Sequence, residues 1–190
     1  GSLLVLDVSN PASPEQVGQY EMPGQVDTLT AAGKFVYLLD SKHIWVVDTS
    51  DPASPSIAGY YALRYEQEDI AVQGNYIYLA GSLMVVDISD PANPVAVKPY
   101  PRDYYGEGLA VWGSYVYLYA SEEMGSAVMV IDVSDPENPD QVGSLESPGW
   151  FSNMSAGDGF LHVVLHNFNL QALDLSDPLH PEAAVTYKIQ

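Results

Sequence analysis

The sequence predicts an all-β fold, a β-propeller of four-stranded blades. Three observations carry that prediction. One motif returns five times at a period of about 40 residues. Short alternating strand patterns separated by turn residues fill each period. No stretch has helical periodicity, so no helix longer than a single turn is expected.

The recurring motif reads LLVLDVSNPASP from Leu3, IWVVDTSDPASP from Ile44, LMVVDISDPANP from Leu83, VMVIDVSDPENP from Val128 and LQALDLSDPLHP from Leu170. Its anchoring aspartates are Asp7, Asp48, Asp87, Asp132 and Asp174, spaced 41, 39, 45 and 42 residues apart. That interval suits a propeller blade of four strands. A parallel β-helix is the competing repeat architecture, but its coils are usually shorter than this period.

Each repeat resolves into strands A to D, from the centre outward. Strand A is small-residue-rich and covers 27–32, 68–73, 107–112 and 152–157. Small side chains suit a crowded centre. Strand B alternates and carries aromatics, as KFVYLLD, NYIYLAG, SYVYLYA and GFLHVVL. Strand C, the run ending in the anchoring Asp, is apolar at almost every position. A strand with one wet face would alternate, so a continuous run means that both faces are covered. Blades stacked face to face supply that cover. Strand D covers 16–20, 56–61, 95–100, 141–145 and 182–189.

The C-to-D turn explains itself locally. Proline cannot donate to a ladder, and the Asp and Ser side chains can accept nearby backbone N–H groups. The five copies therefore read as punctuation and not as five catalytic sites. The resulting organisation is a half blade at 3–20 and full blades at about 25–63, 67–101, 107–146 and 151–190. A half blade without A and B strands leaves strand C with an open edge, which natural sheets avoid. The expectation is part of a larger propeller, or one completed by self-association through the half blade.

The runs VVDTSDPASP, VVDISDPANP and VIDVSDPENP, with GNYIYLAG and GSYVYLYA before the second and third of them, resemble the LVIVD repeat of bacterial and archaeal proteins. The resemblance covers nearly the whole chain. It implies a β-propeller, usually in secreted or cell-surface proteins, and implies no reaction. The last repeat departs most, with His162 where the others have Tyr37, Tyr78 and Tyr117, and Leu179-His180 inside its turn.

Composition narrows the partners. The chain has 190 residues, 25 acidic against 6 basic, and a net charge of −19. Such a surface repels phosphate backbones and anionic membranes. No apolar run reaches the roughly 20 residues of a spanning helix, so no membrane insertion is expected. With no cysteine, disulfides, thiolate metal sites and a cysteine nucleophile are excluded. Gly1-Ser2 reads as a cloning scar, so a targeting signal is not legible in this chain.

Catalytic signatures are scarce. No G-x-S-x-G elbow, Walker loop or dinucleotide fingerprint occurs. His162 and His166 lie four residues apart on a strand pattern, roughly 13 Å, too far for one zinc ion. His162 reads as a packed core residue, and His43 and His180 as solvated turn residues. Asp132, Asp135, Glu137 and Asp140 resemble a calcium loop only in their acids and read as a turn.

The D-to-A connections differ from one another as the C-to-D turns do not: YEMPGQ, ALRYEQ, YPRDYYGE and ESPGWFS. Loops on a rigid scaffold commonly carry binding residues, and aromatics and arginine suit recognition. The candidate partner-binding residues are Arg64, Tyr65, Arg102, Tyr104, Tyr105, Trp150 and Phe151. The competing role for these aromatics is filling gaps between blades. Aligning the A strands on Gly33, Gly74, Gly113 and Asp158 places Asp27, Glu68, Glu107 and Ser152 at one position, with Thr28, Asp69, Gly108 and Asn153 next. Three carboxylates near a channel mouth make a candidate cation site, and calcium is the metal considered; no other cofactor is expected. The expected function is a non-catalytic binding or scaffold module, extracellular or at the cell surface, for a protein or glycan ligand. The alternative is a hydrolase or lyase acting on a glycan or small molecule with loop carboxylates.

Overall fold

A computed structural model describes residues 1–81, 83–97, 106–122, 125–146, 151–165 and 169–188. These residues form eighteen strands and no helix. The fold is all-β: four four-stranded antiparallel blades of a β-propeller, with a two-stranded sheet at the N-terminus. The chain divides into two compact units, residues 1–66 with 87–95, and residues 67–86 with 96–190.

The half blade is β1 (Ser2–Asp7) and β2 (Glu15–Glu21). The first full blade is β3 (Thr28–Ala32), β4 (Phe35–Leu39), β5 (His43–Asp48) and β6 (Ser56–Ala62). The second is β7 (Ile70–Gln73), β8 (Tyr76–Leu79), β9 (Met84–Asp87) and β10 (Val95–Ala96). The third is β11 (Gly106–Trp112), β12 (Tyr115–Glu122), β13 (Gly125–Asp132) and β14 (Asp140–Glu146). The fourth is β15 (Phe151–Gly157), β16 (Phe160–Leu165), β17 (Asn169–Asp174) and β18 (Glu182–Lys188). In each full blade the strands follow chain order, A, B, C, D.

The A-to-B hairpins turn through Gly33, Gly74 and Gly113, all with φ of 58–59°, a left-handed conformation that glycine adopts without strain. The fourth blade uses Asp158 and Gly159 instead. In the first three full blades strand C is buried on both faces, as its continuous apolar run requires: Ile44, Val46 and Val47 are fully buried, as are Val85, Val86, Val130 and Ile131. In β17 burial is mostly partial, and in β1 Leu4 and Leu6 are exposed, against the expectation from the same apolar run.

The C-to-D turn repeats to the atom. The anchoring Asp7, Asp48, Asp87, Asp132 and Asp174 each accept the N–H of the Ser two residues on, at 2.7–2.8 Å. Three residues further, Asn10, Asp51, Asp90, Asp135 and Asp177 repeat the device at 3.1–3.3 Å. The Ser50 hydroxyl, the Ser50 N–H and Lys34 hold Asp48 down to about 2. Asp135 also takes Asn138 Nδ2 at 2.8 Å, so its oxygens serve the turn.

These turns are also packing elements. A β-bulge interrupts the C–D register at Val5/Leu6, Val46/Val47, Val130/Ile131 and Ala172/Leu173. Strand D then brings a glycine, Gly18, Gly59 or Gly143, under the following turn. A Cβ on Gly59 would lie 2.5 Å from the Pro91 carbonyl oxygen, and Gly18 and Gly143 stand likewise under Pro52 and Leu179. A side chain there would push the turn off the strand.

In the second unit two apolar layers separate three blades. One gathers Tyr78, Val85, Leu109, Leu118 and Ile131. The other gathers Tyr117, Tyr119, Val130, Phe151, Met154 and Leu161. The first unit has its own layer of Leu3, Met22, Leu38 and Val47, with Trp45 and Ile57 against it.

Candidate functional site

Antiparallel order puts the A–B and C–D turns at one end of a blade, and the B–C turns and D-to-A connections at the other. The first end is occupied by its own hydrogen bonds. The second carries the varied loops and the candidate residues.

In the first full blade the B–C turn is 40–42. Asp40 is buried and collects the turn's donors: Oδ1 accepts the N–H groups of Lys42 at 2.7 Å and His43 at 2.6 Å. Oδ2 accepts Trp45 Nε1–H at 2.7 Å. His43 Nδ1 lies 3.3 and 3.4 Å from the two oxygens. Burial pushes the Asp40 carboxyl up, but the hydrogen bonds from Trp45, Lys42 and His43 outweigh it and leave it below its usual value. The carboxylate is therefore ionised and acts only as an acceptor in this turn.

The His43 ring lies 4.8 Å from Trp45 and 5.8 Å, edge-on, from Tyr60; Trp45 and Tyr60 are 5.4 Å apart. Register explains the grouping, since Trp45 faces Tyr60 and His43 faces Ala62 across β5 and β6. Successive same-face residues on two strands make one aromatic row. Its outer member, Tyr60, is 56% exposed. Just beyond, the Leu63 N–H donates to the Lys42 carbonyl at 2.7 Å, which ties the D-to-A connection to the same turn. Arg64 and Tyr65 follow, both exposed, Tyr65 at 71%.

The expectation for His43 is thus corrected. It is the half-buried first residue of β5, held by a carboxylate and two rings, and not a solvated turn residue. His180 is exposed and pairs with Asp177 at 3.0 Å. His162 lies half-buried on β16, with Phe160 at 6.2 Å. Phe151 is buried as the first residue of β15, edge-on to Tyr119 at 4.6 Å, and fills the space between the third and fourth blades. Arg102, Tyr104, Tyr105, Trp150 and His166 lie outside the described residues.

The aligned acids take different environments. Asp27, Glu68 and Glu107 are exposed, and the Asp27 N–H donates to the Leu39 carbonyl at 2.9 Å. The neighbouring Asp69 turns inward instead. It accepts Ile70 N–H at 2.8 Å and Leu109 N–H of the next blade at 3.2 Å, and burial pushes its carboxyl up despite these two bonds. Among the described residues no three His, Asp or Glu side chains gather as a metal site.

Rigid four-stranded blades with one end closed by its own turns and the other bearing varied loops define a β-propeller repeat module. The model of the LVIVD repeat matches residues 1–22, 23–62, 66–101 and 105–146. The chain belongs to the LVIVD repeat family. No curated protein matches it.

Proposed function

We propose that this chain is a non-catalytic binding or scaffold module, working outside the cell or at its surface, that recognises a protein or glycan partner through the D-to-A loop face. The observation that carries the reading is the His43–Trp45–Tyr60 row, fixed by buried Asp40 beside Arg64 and Tyr65. Rigid rings offer large contact area with little rotamer entropy to lose, and their faces suit sugar C–H groups or cationic side chains. The family resemblance supports the location.

The test is a glycan-array and protein-partner screen of the chain beside a Tyr60→Ser/Tyr65→Ser double variant. Both residues are exposed, so folding should be nearly unchanged. Binding is expected to fall at least tenfold. Tyr187→Ser, equally exposed on β18, should bind as the parent does. Undiminished binding by the double variant would overturn the reading.

A further inference from the structure

The repeats of this chain show which side chains a blade needs and which it does not. In the first full blade the row across strands C and D sets Trp45 against Tyr60. The same row is Leu4 against Gln19 in the half blade, Met129 against Ser144 in the third blade and Gln171 against Thr186 in the fourth. Two residues earlier on strand C, His43 stands where the third and fourth blades have Ala127 and Asn169. Asp40, whose N–H donates to the His43 carbonyl, stands where they have the buried Ala120 and Leu165. A blade therefore forms without any of these four side chains. Here the four touch one another: Trp45 Nε1–H donates to the buried Asp40 carboxylate, and the three rings lie 4.8–5.8 Å apart.

Two cations border this row. The Lys42 carbonyl accepts the Leu63 N–H, which brings Arg64 beside Lys42. Both are exposed, and among the described residues neither makes an ion pair, whereas Lys34 is held by Asp48 at 3.1 Å. With only 6 basic residues against 25 acidic ones in the chain, two unpaired cations on one tied pair of loops make a local island of positive charge. The Asp40 oxygens are already taken by the N–H groups of Lys42, His43 and Trp45. The Trp45 and Tyr60 rings touch at 5.4 Å and are inclined by 39°, so they form a stepped platform and not a cage around a side chain. A platform suits a flat ligand whose C–H groups meet the electron-rich ring faces. Arginine and lysine at its border suit a carboxylate, which arginine can hold through two parallel N–H donors.

We propose that this row is a subsite for an acidic sugar, a pyranose whose C–H face stacks on Tyr60 and whose carboxylate is held by Arg64 and Lys42. The assignment rests on the reading of the chain as a binding module and names the ligand class of that same site. A neutral sugar would leave the two cations unused, and an acidic side chain of a protein would leave the ring platform unused. The net charge of −19 sets a further limit, because it repels a densely charged polyanion. A single carboxylate at the island is screened from acids farther away than about 8 Å at physiological salt. The fit is therefore to a glycan with isolated uronic-acid residues and not to a sulfated or fully charged chain.

The probes are two trisaccharides, one ending in glucuronic acid and one in galacturonic acid, each beside its methyl ester, which removes the charge and keeps the ring. Calorimetric titration is expected to show at least one acid binding at least tenfold more tightly than its ester. That preference should disappear in Arg64→Gln, and Tyr60→Ser should weaken binding of the acid at least tenfold. Both variants alter exposed side chains, and unchanged circular dichroism checks that they fold. No binding of either acid, equal binding of acid and ester, or a preference that survives Arg64→Gln would each overturn the proposal. Equally tight binding of a short glutamate-rich peptide would overturn it too and assign the cations to a protein partner. Equal binding of acid and ester that Tyr60→Ser still weakens would overturn the acidic-sugar assignment alone and leave the binding module standing.

Discussion

Tyr117→Ala is expected to lower the unfolding free energy by about 3–5 kcal/mol, the range for deleting a buried aromatic. Tyr117 is fully buried on β12, within the layer between the third and fourth blades. Its hydroxyl donates to the Pro178 carbonyl at 3.1 Å, so the ring fills the layer while its tip holds the next blade's C–D turn. Tyr117→Phe keeps the ring and should cost only about 1 kcal/mol. Burial, with smaller contributions from Tyr115 and Asp177, pushes the hydroxyl up to about 12. A group whose folded value is raised contributes stability that is complete below its unfolded value, near 10, and is lost as pH rises toward 12. The advantage of the parent over Tyr117→Phe should therefore shrink between pH 10 and 12. Chemical denaturation at pH 7 and at several alkaline values checks both statements; an Ala variant within 1 kcal/mol of the parent would contradict the layer's role.

Asp40→Leu should be the most damaging single change at the candidate site. It leaves the Lys42, His43 and Trp45 N–H groups without their acceptor in a partly dry turn, at a cost of about 3 kcal/mol. It should also loosen His43 and Trp45, visible as a change in tryptophan fluorescence and near-ultraviolet dichroism. The Asp40 carboxyl titrates below its ordinary value, so its contribution is present above pH 4 and is lost as pH falls through the folded value. The difference between the parent and Asp40→Leu should accordingly narrow in acid. A pH-independent difference would mean that the charge of Asp40 contributes nothing to the turn.

Much of the fold was legible because it is written in local chemistry. The C strands had to be covered on both faces, since no polar residue interrupts the apolar runs that lead to Asp87 and Asp132. The five turns had to be structural, since Asp, Ser and Pro at fixed offsets satisfy their own backbone. The A–B turns declared themselves through Gly33, Gly74 and Gly113. Each of these signals is complete within about a dozen residues.

The candidate site was legible only in part. Arg64 and Tyr65 stand out in the sequence because their loop differs from its neighbours, and both are exposed. Phe151 was grouped with them, although it begins a strand and is buried against Tyr119. Asp40, His43, Trp45 and Tyr60 were missed, because no local pattern links a turn acid to a ring fifteen or twenty residues away. The nearest signal was the HIWVVD run itself, where a Trp stands among aliphatics and a His precedes it by two.

The sequence by itself determined the all-β class, the blade period and the turns, because periodicity and turn chemistry act between near neighbours. Only the tertiary structure decided which side chains meet. Cross-strand register sets Trp45 against Tyr60, and blade stacking buries Leu109 and Met154. Those outcomes depend on which strand lies alongside and which blade lies behind, and neither is encoded within a single repeat.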